Sequence, residues 1–299
     1  MNIGIDPLVD FVCKMLLGSP DHPAITLHFL NAVLGGSPQI TAVEILNPII
    51  GQEFDDDKYA VLDIRARDAF GHRFNIEIQR SLPTAIRERL TYYVATQLVE
   101  QLGLGEGYGE LRPSIGICIL DAVIFAQADD LHLDFRLMNS KHQLTFTEHL
   151  QIHLLELPKY APPSHNEIIS DPIEQWCYFF MHADKLSADQ IRQRLPESVF
   201  WEATGVLEMI ARDPDQRSLY EARVKMERDS RAKLDYALKQ GREQGLEQGL
   251  KQGEAIGRVL ALRDLLLETS PTNDQLQTYT LDQLAQLEID LRHRLRERD

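Results

Sequence analysis

Three side chains in the segment Val61–Gln79, VLDIRARDAFGHRFNIEIQ, could do chemistry together: Asp63, Glu77 and Gln79. Both arms of the segment alternate. Leu62, Ile64 and Ala66 interleave with Asp63, Arg65 and Arg67, while Phe74, Ile76 and Ile78 interleave with Asn75, Glu77 and Gln79. Period-two patterning on both sides of Ala69-Phe70-Gly71 predicts a β-hairpin, with Gly71 where a three-residue loop wants a left-handed residue. If Asp68 pairs with His72, counting places Leu62 against Ile78, Ile64 against Ile76 and Ala66 against Phe74. Asp63 then lies opposite Glu77, with Gln79 one step along. Like charges directly opposite each other repel. A cation between them, most simply Mg2+, would resolve the conflict. Two acidic oxygens on a divalent cation are what hydrolysis of a phosphodiester needs. The ion makes hydroxide near neutral pH and neutralises charge building on the phosphate. The backbone carbonyl of Ile78 is a third candidate ligand. Gln79 can orient water or a phosphate oxygen but cannot act as a base.

The elements around the hairpin follow from pattern and punctuation. Pro7–Leu17 reads as a helix with Asp6 as N-cap, and 24–34 as a second helix stopped by Gly35-Gly36. Thr41–Leu46 reads as a short strand. Thr84–Leu102 reads as a long helix, and Ser114–Leu120 (SIGICIL) as a buried strand. His132–Met138 and His149–Leu157 suggest further strands. Composition changes at 160–165 (YAPPSH), and from Pro172 onward the pattern is helical, with Trp176, Phe179 and Phe180 as one buried face. Residues 211–268 read as one long charged helix. Within it Gly241, Gly245, Gly249, Gly253 and Gly257 recur every four residues. Each costs about 1 kcal/mol inside a helix, so either a second helix packs closely along that seam or the repeat has no specific partner. Leu281–Leu295 reads as a last amphipathic helix ending among Arg292, Arg294, Arg296 and Arg298. The division expected is a domain over 1–160 and a helical region over 166–299 that carries the 241–257 repeat.

Bulk properties restrict the function classes. With 299 residues, 43% hydrophobic, the chain can build a sizeable core. No apolar run reaches the length of a membrane span, and the N-terminus lacks a signal-peptide pattern. Three scattered cysteines, Cys13, Cys118 and Cys177, fit neither a disulfide framework nor a zinc site, so a reducing cytoplasm is expected. A net charge of −15 argues against a general nucleic-acid coat protein. From Arg212 onward there are 16 basic and 17 acidic residues, which leaves 15 and 29 in the first 211. Contact with nucleic acid would therefore need local basic patches or bound metal.

The element order, with Asp63 and then Glu77-x-Gln79 on a hairpin, resembles the PD-(D/E)XK nuclease superfamily. Within it the chain resembles the Rpn group of recombination-promoting nucleases, also described as transposases. The matching pieces are DPLVDFVCKMLLG (Asp6–Gly18), LDIRARDAFGHRFNIEIQ (Leu62–Gln79), RERLTYYVATQLVEQLGLGEGYGELRPSIGICIL (Arg87–Leu120) and the glycine-every-fourth tail. The resemblance implies an α/β restriction-endonuclease-like core with a mixed central sheet. It implies a bacterial DNA endonuclease that uses Mg2+, with Mn2+ as a substitute, in recombination, mobile-element or defence biology. It assigns metal binding to Asp63 and Glu77 and positioning to Gln79. The departure from the wider superfamily is Gln79 where a lysine is usual, an exchange that looks normal within this subgroup.

Other residues have two readings each. Asp10 and Lys14 share a helix face. The resemblance sets that face beside the site, with Asp10 holding a second metal or water; a solvated ion pair is the alternative. Arg89, Tyr93 and Gln97 share a stripe of the 84–102 helix, either touching phosphate or packing on the sheet. Lys58 either approaches the site or lies on the surface. Asp63 and Glu77 themselves could be an exposed charged face neutralised diagonally by Arg65 and Arg67. His149 and His153 would share a strand face without a third ligand, and GLGEGYG (103–109) follows a helix and so is no dinucleotide loop. The competing function is a catalytically silent interaction or regulatory protein on a nuclease-like scaffold. In either case the C-terminal helices are expected to form a homo-oligomer.

Overall fold

The computed structural model describes residues 2–36, 39–46, 64–82, 84–164, 167–267 and 273–297. Asp63 and Lys58 lie outside them. The chain divides into two compact units, Met1–Val224 and Lys225–Asp299. Among the described residues no helix is long and apolar enough to cross a membrane.

The first unit is built on a six-stranded mixed sheet. In chain order the strands are β1 (Val43–Ile45), β2 (Ile64–Asp68), β3 (Arg73–Gln79), β4 (Ser114–Leu120), β5 (His132–Asn139) and β6 (Leu144–Glu156), arranged β1-β2-β3-β4-β6-β5. β2 and β3 form the expected hairpin, with Ile64 against Ile76, Arg65 against Asn75 and Ala66 against Phe74. Asp68 makes the turn. Its backbone carbonyl accepts from Gly71 N at 3.1 Å, its Oδ1 accepts from Phe70 N and His72 N at 2.9 Å each, and Gly71 sits at φ 85°. The partner expected for Glu77, Asp63, is one residue before the first described residue of β2. β3, β4 and β6 run parallel, with Glu77, Cys118 and Leu154 in one row and Gln79, Leu120 and Glu156 in another. Paired residues share a face, so all six belong to one side of the sheet.

The opposite side carries the main core. Ile64, Ala66, Phe74, Ile76, Ile115 and Ile117 meet α1 (Asp10–Leu17) and α2 (Pro23–Leu34), behind which pack α4 (Pro172–His182), α5 (Ala188–Arg194) and α6 (Ser198–Arg212). Trp176 lies among Phe29, Phe179, Phe180 and Phe200, with ring centroids 4.9–5.9 Å apart. α4–α6 therefore share one core with the sheet, and the compact unit runs past the expected boundary near residue 160 to Val224. α1 starts later than the expected Pro7, because Asp6 closes a turn onto Leu8 N (2.9 Å) and does not cap the helix.

The near side of the sheet is covered by α3 (Ile86–Val99), shorter than the expected 84–102. Ile86 and Leu90 pack on Cys118, Leu120 and Leu154. Gly116 lets the helix come this close, since a Cβ there would meet Val94 Cγ2 at 2.6 Å. That approach sets the height of α3 above β3, and so of its polar residues above Glu77.

The 52-residue helix α7 (Pro214–Leu265) contains the unit division, and Asp213 separates it from α6, where one helix over 211–268 was expected. The Asp213 carboxylate caps the new start through Asp215 N and Gln216 N, at 2.9 Å each. In the second unit Ala255, Ile256 and Val259 of α7 pack on Leu276 of α8 (Asn273–Gln277) and on Leu284 and Leu291 of α9 (Leu281–Arg296). A Cβ added at any of Gly241, Gly245, Gly249, Gly253 or Gly257 meets nothing within 4 Å among the described residues. The glycine seam is thus not filled from within the chain's described part.

Candidate active site

Glu77 is the centre of the near face. It sits mid-way along β3 with its side chain 1% exposed. Its Oε2 accepts from Arg89 Nη2 at 3.1 Å and from Gln79 Nε2 at 3.3 Å, and its Oε1 accepts from Asn75 Nδ2 at 3.4 Å. The three residues 75, 77 and 79 share a face by strand period, and α3 supplies the cation. Burial pushes the Glu77 carboxyl above its ordinary range, and the Arg89 charge and the three hydrogen bonds only partly offset that rise.

Arg89 projects from the first turns of α3, with its Cζ 5.9 Å from the ring centroid of Tyr93, one turn on. Its Nε is buried without a hydrogen-bond partner among the described residues. Gln97, two turns further, is structural: its Nε2 donates to Phe74 O (3.2 Å) and its Oε1 accepts from Ser114 Oγ (2.9 Å). The stripe therefore splits, its N-terminal end reaching the carboxylate and its C-terminal end locking helix to sheet. A small groove of about 140 Å³ is lined by Arg65, Asn75, Tyr93, Thr96, Gln97 and Glu100, and Asn75 of that lining touches Glu77.

Arg65 and Arg67 were the alternative neutralisers of the acidic face. Arg65 binds Glu100 at 2.8 Å and Arg67 binds Glu44 at 2.7 Å. The countercharge at Glu77 is Arg89. Asp10 Oδ1 accepts from Phe11 N at 2.6 Å, and its Oδ2 lies 3.9 Å from Arg223. Lys14 borders Gly18, where an added Cβ would lie 3.2 Å from both Lys14 Cγ and Ile64 Cγ1. α1 thus runs past the start of β2, next in sequence to Asp63. The other end of the α1 segment meets the end of β3 through Asp6, which pairs with Arg80 at 3.0 Å.

Two polar features had no warning in the pattern. Asn75 is one, a buried amide beside Glu77 whose only signal was its place two residues upstream. The second is a pair on the other face, His132 Nε2 and His153 Nδ1, 3.0 Å apart. Burial holds His153 down to about 4, with Asp134 opposing, and lowers His132 as well. His149 goes elsewhere, to Thr147 Oγ1 (2.7 Å) and Leu111 O (3.2 Å).

Among the described residues no three His, Cys, Asp or Glu side chains form a metal-holding group. The donors at Glu77 are nevertheless of the right kind for a hard cation: carboxylate and amide oxygens, with a buried carboxylate that is short of positive charge.

The family model described as PD-(D/E)XK nuclease family transposase matches residues 7–237. The chain belongs to that family. The match takes in the whole sheet, α1–α6 and the first part of α7. No curated protein and no solved structure matches the chain. As a PD-(D/E)XK protein it has the mixed sheet and flanking helices that the resemblance implied, and its membership points to nuclease- or transposase-related work on DNA with a divalent metal.

Proposed function

We propose that this chain is a Mg2+-dependent DNA endonuclease, with Mn2+ as a substitute, whose site is built on Glu77, Gln79 and Asp63. The observation that carries the reading is the state of Glu77: a carboxylate buried on the α3 side of β3, insufficiently neutralised, with Gln79 and Arg89 both on its Oε2. Asp63 directly precedes β2, and we assign it as the second acidic ligand. A divalent cation there supplies activated water near neutral pH and charge neutralisation at the phosphate. Glu77 and Asp63 hold that cation through their carboxylate oxygens. Gln79 donates its amide N–H to the attacking water or to a phosphate oxygen, and it carries no proton away. Arg89 offers a guanidinium for the phosphate, with the Tyr93 ring 5.9 Å from its Cζ. Asp10 and Lys14, on α1, are accessory groups for a second ion or for water.

The partner is DNA, and the metal offsets the repulsion expected from a chain of net charge −15. The open glycine face of α7 is assigned to a second copy, which would bring two sites to one duplex. Three buried thiols suit a reducing cytoplasm. The same acidic balance favours a second reading, a catalytically silent interaction protein assembled through those helices.

Nicking of supercoiled plasmid by the purified chain, with Mg2+ or Mn2+, separates the two. The nuclease reading expects nicking by the parent and a fall of about 100-fold or more in Glu77→Gln and Asp63→Asn. A folded parent that does not nick with either metal would favour the silent scaffold.

A further inference from the structure

Among the described residues, the cation paired with Glu77, Arg89, holds it loosely. Arg89 reaches Oε2 through a single N–H at 3.1 Å, and its buried Nε has no hydrogen-bond partner among the described residues. A settled arginine–carboxylate pair commonly uses two parallel N–H groups. The contact with Tyr93, at 5.9 Å, is near the outer limit of a cation–π interaction. Exposure is unequal too: the Glu77 side chain is 1% exposed and that of Arg89 is 35%. The carboxylate is therefore fixed, while the guanidinium has solvent to move into. The molecule shows what a permanent arrangement looks like at Glu156. There Lys159 Nζ sits 2.6 Å away and two backbone amides, Ile124 N and Phe125 N, donate at 2.7 and 3.0 Å.

We propose that Arg89 holds the place of the divalent cation at Glu77, yields it when the cation arrives, and then turns its guanidinium to the substrate phosphate. The inference rests on the metal-dependent nuclease reading above. No bond is made or broken: one cation replaces another on a buried carboxylate that cannot stay unpaired. Before metal binds, Arg89 partly offsets the charge of the buried carboxylate. After it binds, the displaced guanidinium turns toward the groove that Tyr93 and Asn75 help to line, Tyr93 being the ring Arg89 already approaches at 5.9 Å and Asn75 the amide that touches Glu77. Arg89 is thus a positioning residue with two stations. Its competition with the ion lowers the apparent metal affinity by the fraction of molecules in which it occupies Glu77.

Calorimetric titration of the full chain with Mn2+, for the parent, Arg89→Gln, Arg89→Lys and Glu77→Gln, tests this without reading cleavage. The expected result is tighter Mn2+ binding in Arg89→Gln by at least about threefold, an intermediate gain in Arg89→Lys, and loss of binding in Glu77→Gln. A KM for duplex oligonucleotide that rises in Arg89→Gln while Mn2+ affinity improves would mark both stations, since a residue that only stabilised the fold would not move the two in opposite directions. Binding in the parent, lost in Glu77→Gln but unchanged or weakened in both Arg89 variants, overturns the inference and leaves the nuclease reading standing. No Mn2+ binding by the parent or by either Arg89 variant removes the reading on which it rests. If Arg89→Gln does not fold, Arg89→Lys alone carries the comparison, and an affinity at or below that of the parent overturns it.

Discussion

Glu77 and Glu156 are two buried glutamates at the same end and on the same face of one sheet, yet the chain treats them in opposite ways. Glu156 closes β6. Burial raises its carboxyl, but Lys159 and the amides of Ile124 and Phe125 more than offset that, and the group is held below its ordinary range. Glu77, in the row next to it on β3, receives one arginine and two side-chain amides at 3.1–3.4 Å, and burial wins. Glu156 is thus met by an ammonium and two backbone amides at 2.6–3.0 Å, whereas Glu77, the acid proposed to meet a metal, is met by longer side-chain contacts at 3.1–3.4 Å. The difference separates a site from a satisfied polar core better than burial or acidity does.

That comparison can be broken first at Glu156. Glu156→Gln should destabilise the fold by about 2–3 kcal/mol, read from chemical denaturation at neutral pH, because two amides and a buried ammonium lose their charged acceptor. In the metal-free protein Glu77→Gln should have the opposite sign, a gain of up to about 1 kcal/mol. There a buried charge is removed, and Arg89 is exposed enough to hydrate. A loss at Glu77 as large as that at Glu156 would mean that the two acids play the same structural part.

Acid sharpens the contrast further. The folded Glu156 carboxyl lies below its ordinary 4.5. Its stabilisation is present above 4.5 and is lost as pH falls through the folded value. The folded Glu77 carboxyl lies above 4.5, so in that window the folded state holds more protons and stability falls as pH rises. The advantage of Glu77→Gln should therefore grow as pH rises above 4.5 and vanish below it, while the penalty of Glu156→Gln should shrink only below 4.5. Denaturation midpoints from pH 3 to 8 read both, and this is the smaller effect.

The hairpin was legible because its two arms alternate without interruption and Gly71 supplies the one left-handed residue that the loop needs. Strand register then follows by counting, with no reference to distant parts of the chain. Gly116 shows what counting misses. In SIGICIL it reads as a gap in an apolar strand, and only the packed structure reveals that Val94 requires the space. Trp176, Phe179 and Phe180 announced a buried face but not its partner. Because they pack with Phe29 behind the sheet, α4–α6 join the first unit. That Glu77 and Gln79 share a face was readable from spacing, and the alignment of Arg89 with Tyr93 from the helical stripe. Its choice of Glu77 over phosphate or surface was not, since a helix period says which residues align but not how high the helix rides. Lys159, three residues after Glu156, was the local signal for a paired acid there.

The most direct test of the central claim, that the near face at Glu77 is the metal site, is the shift in melting temperature on adding Mn2+ to the parent, Glu77→Gln and Glu156→Gln. A ligand at 100 times its Kd stabilises the form it binds by about 2.7 kcal/mol. A clear rise is expected in the parent, the same rise from a lower starting point in Glu156→Gln, and none in Glu77→Gln. A rise that survives in Glu77→Gln, or one lost in Glu156→Gln alone, would contradict that claim.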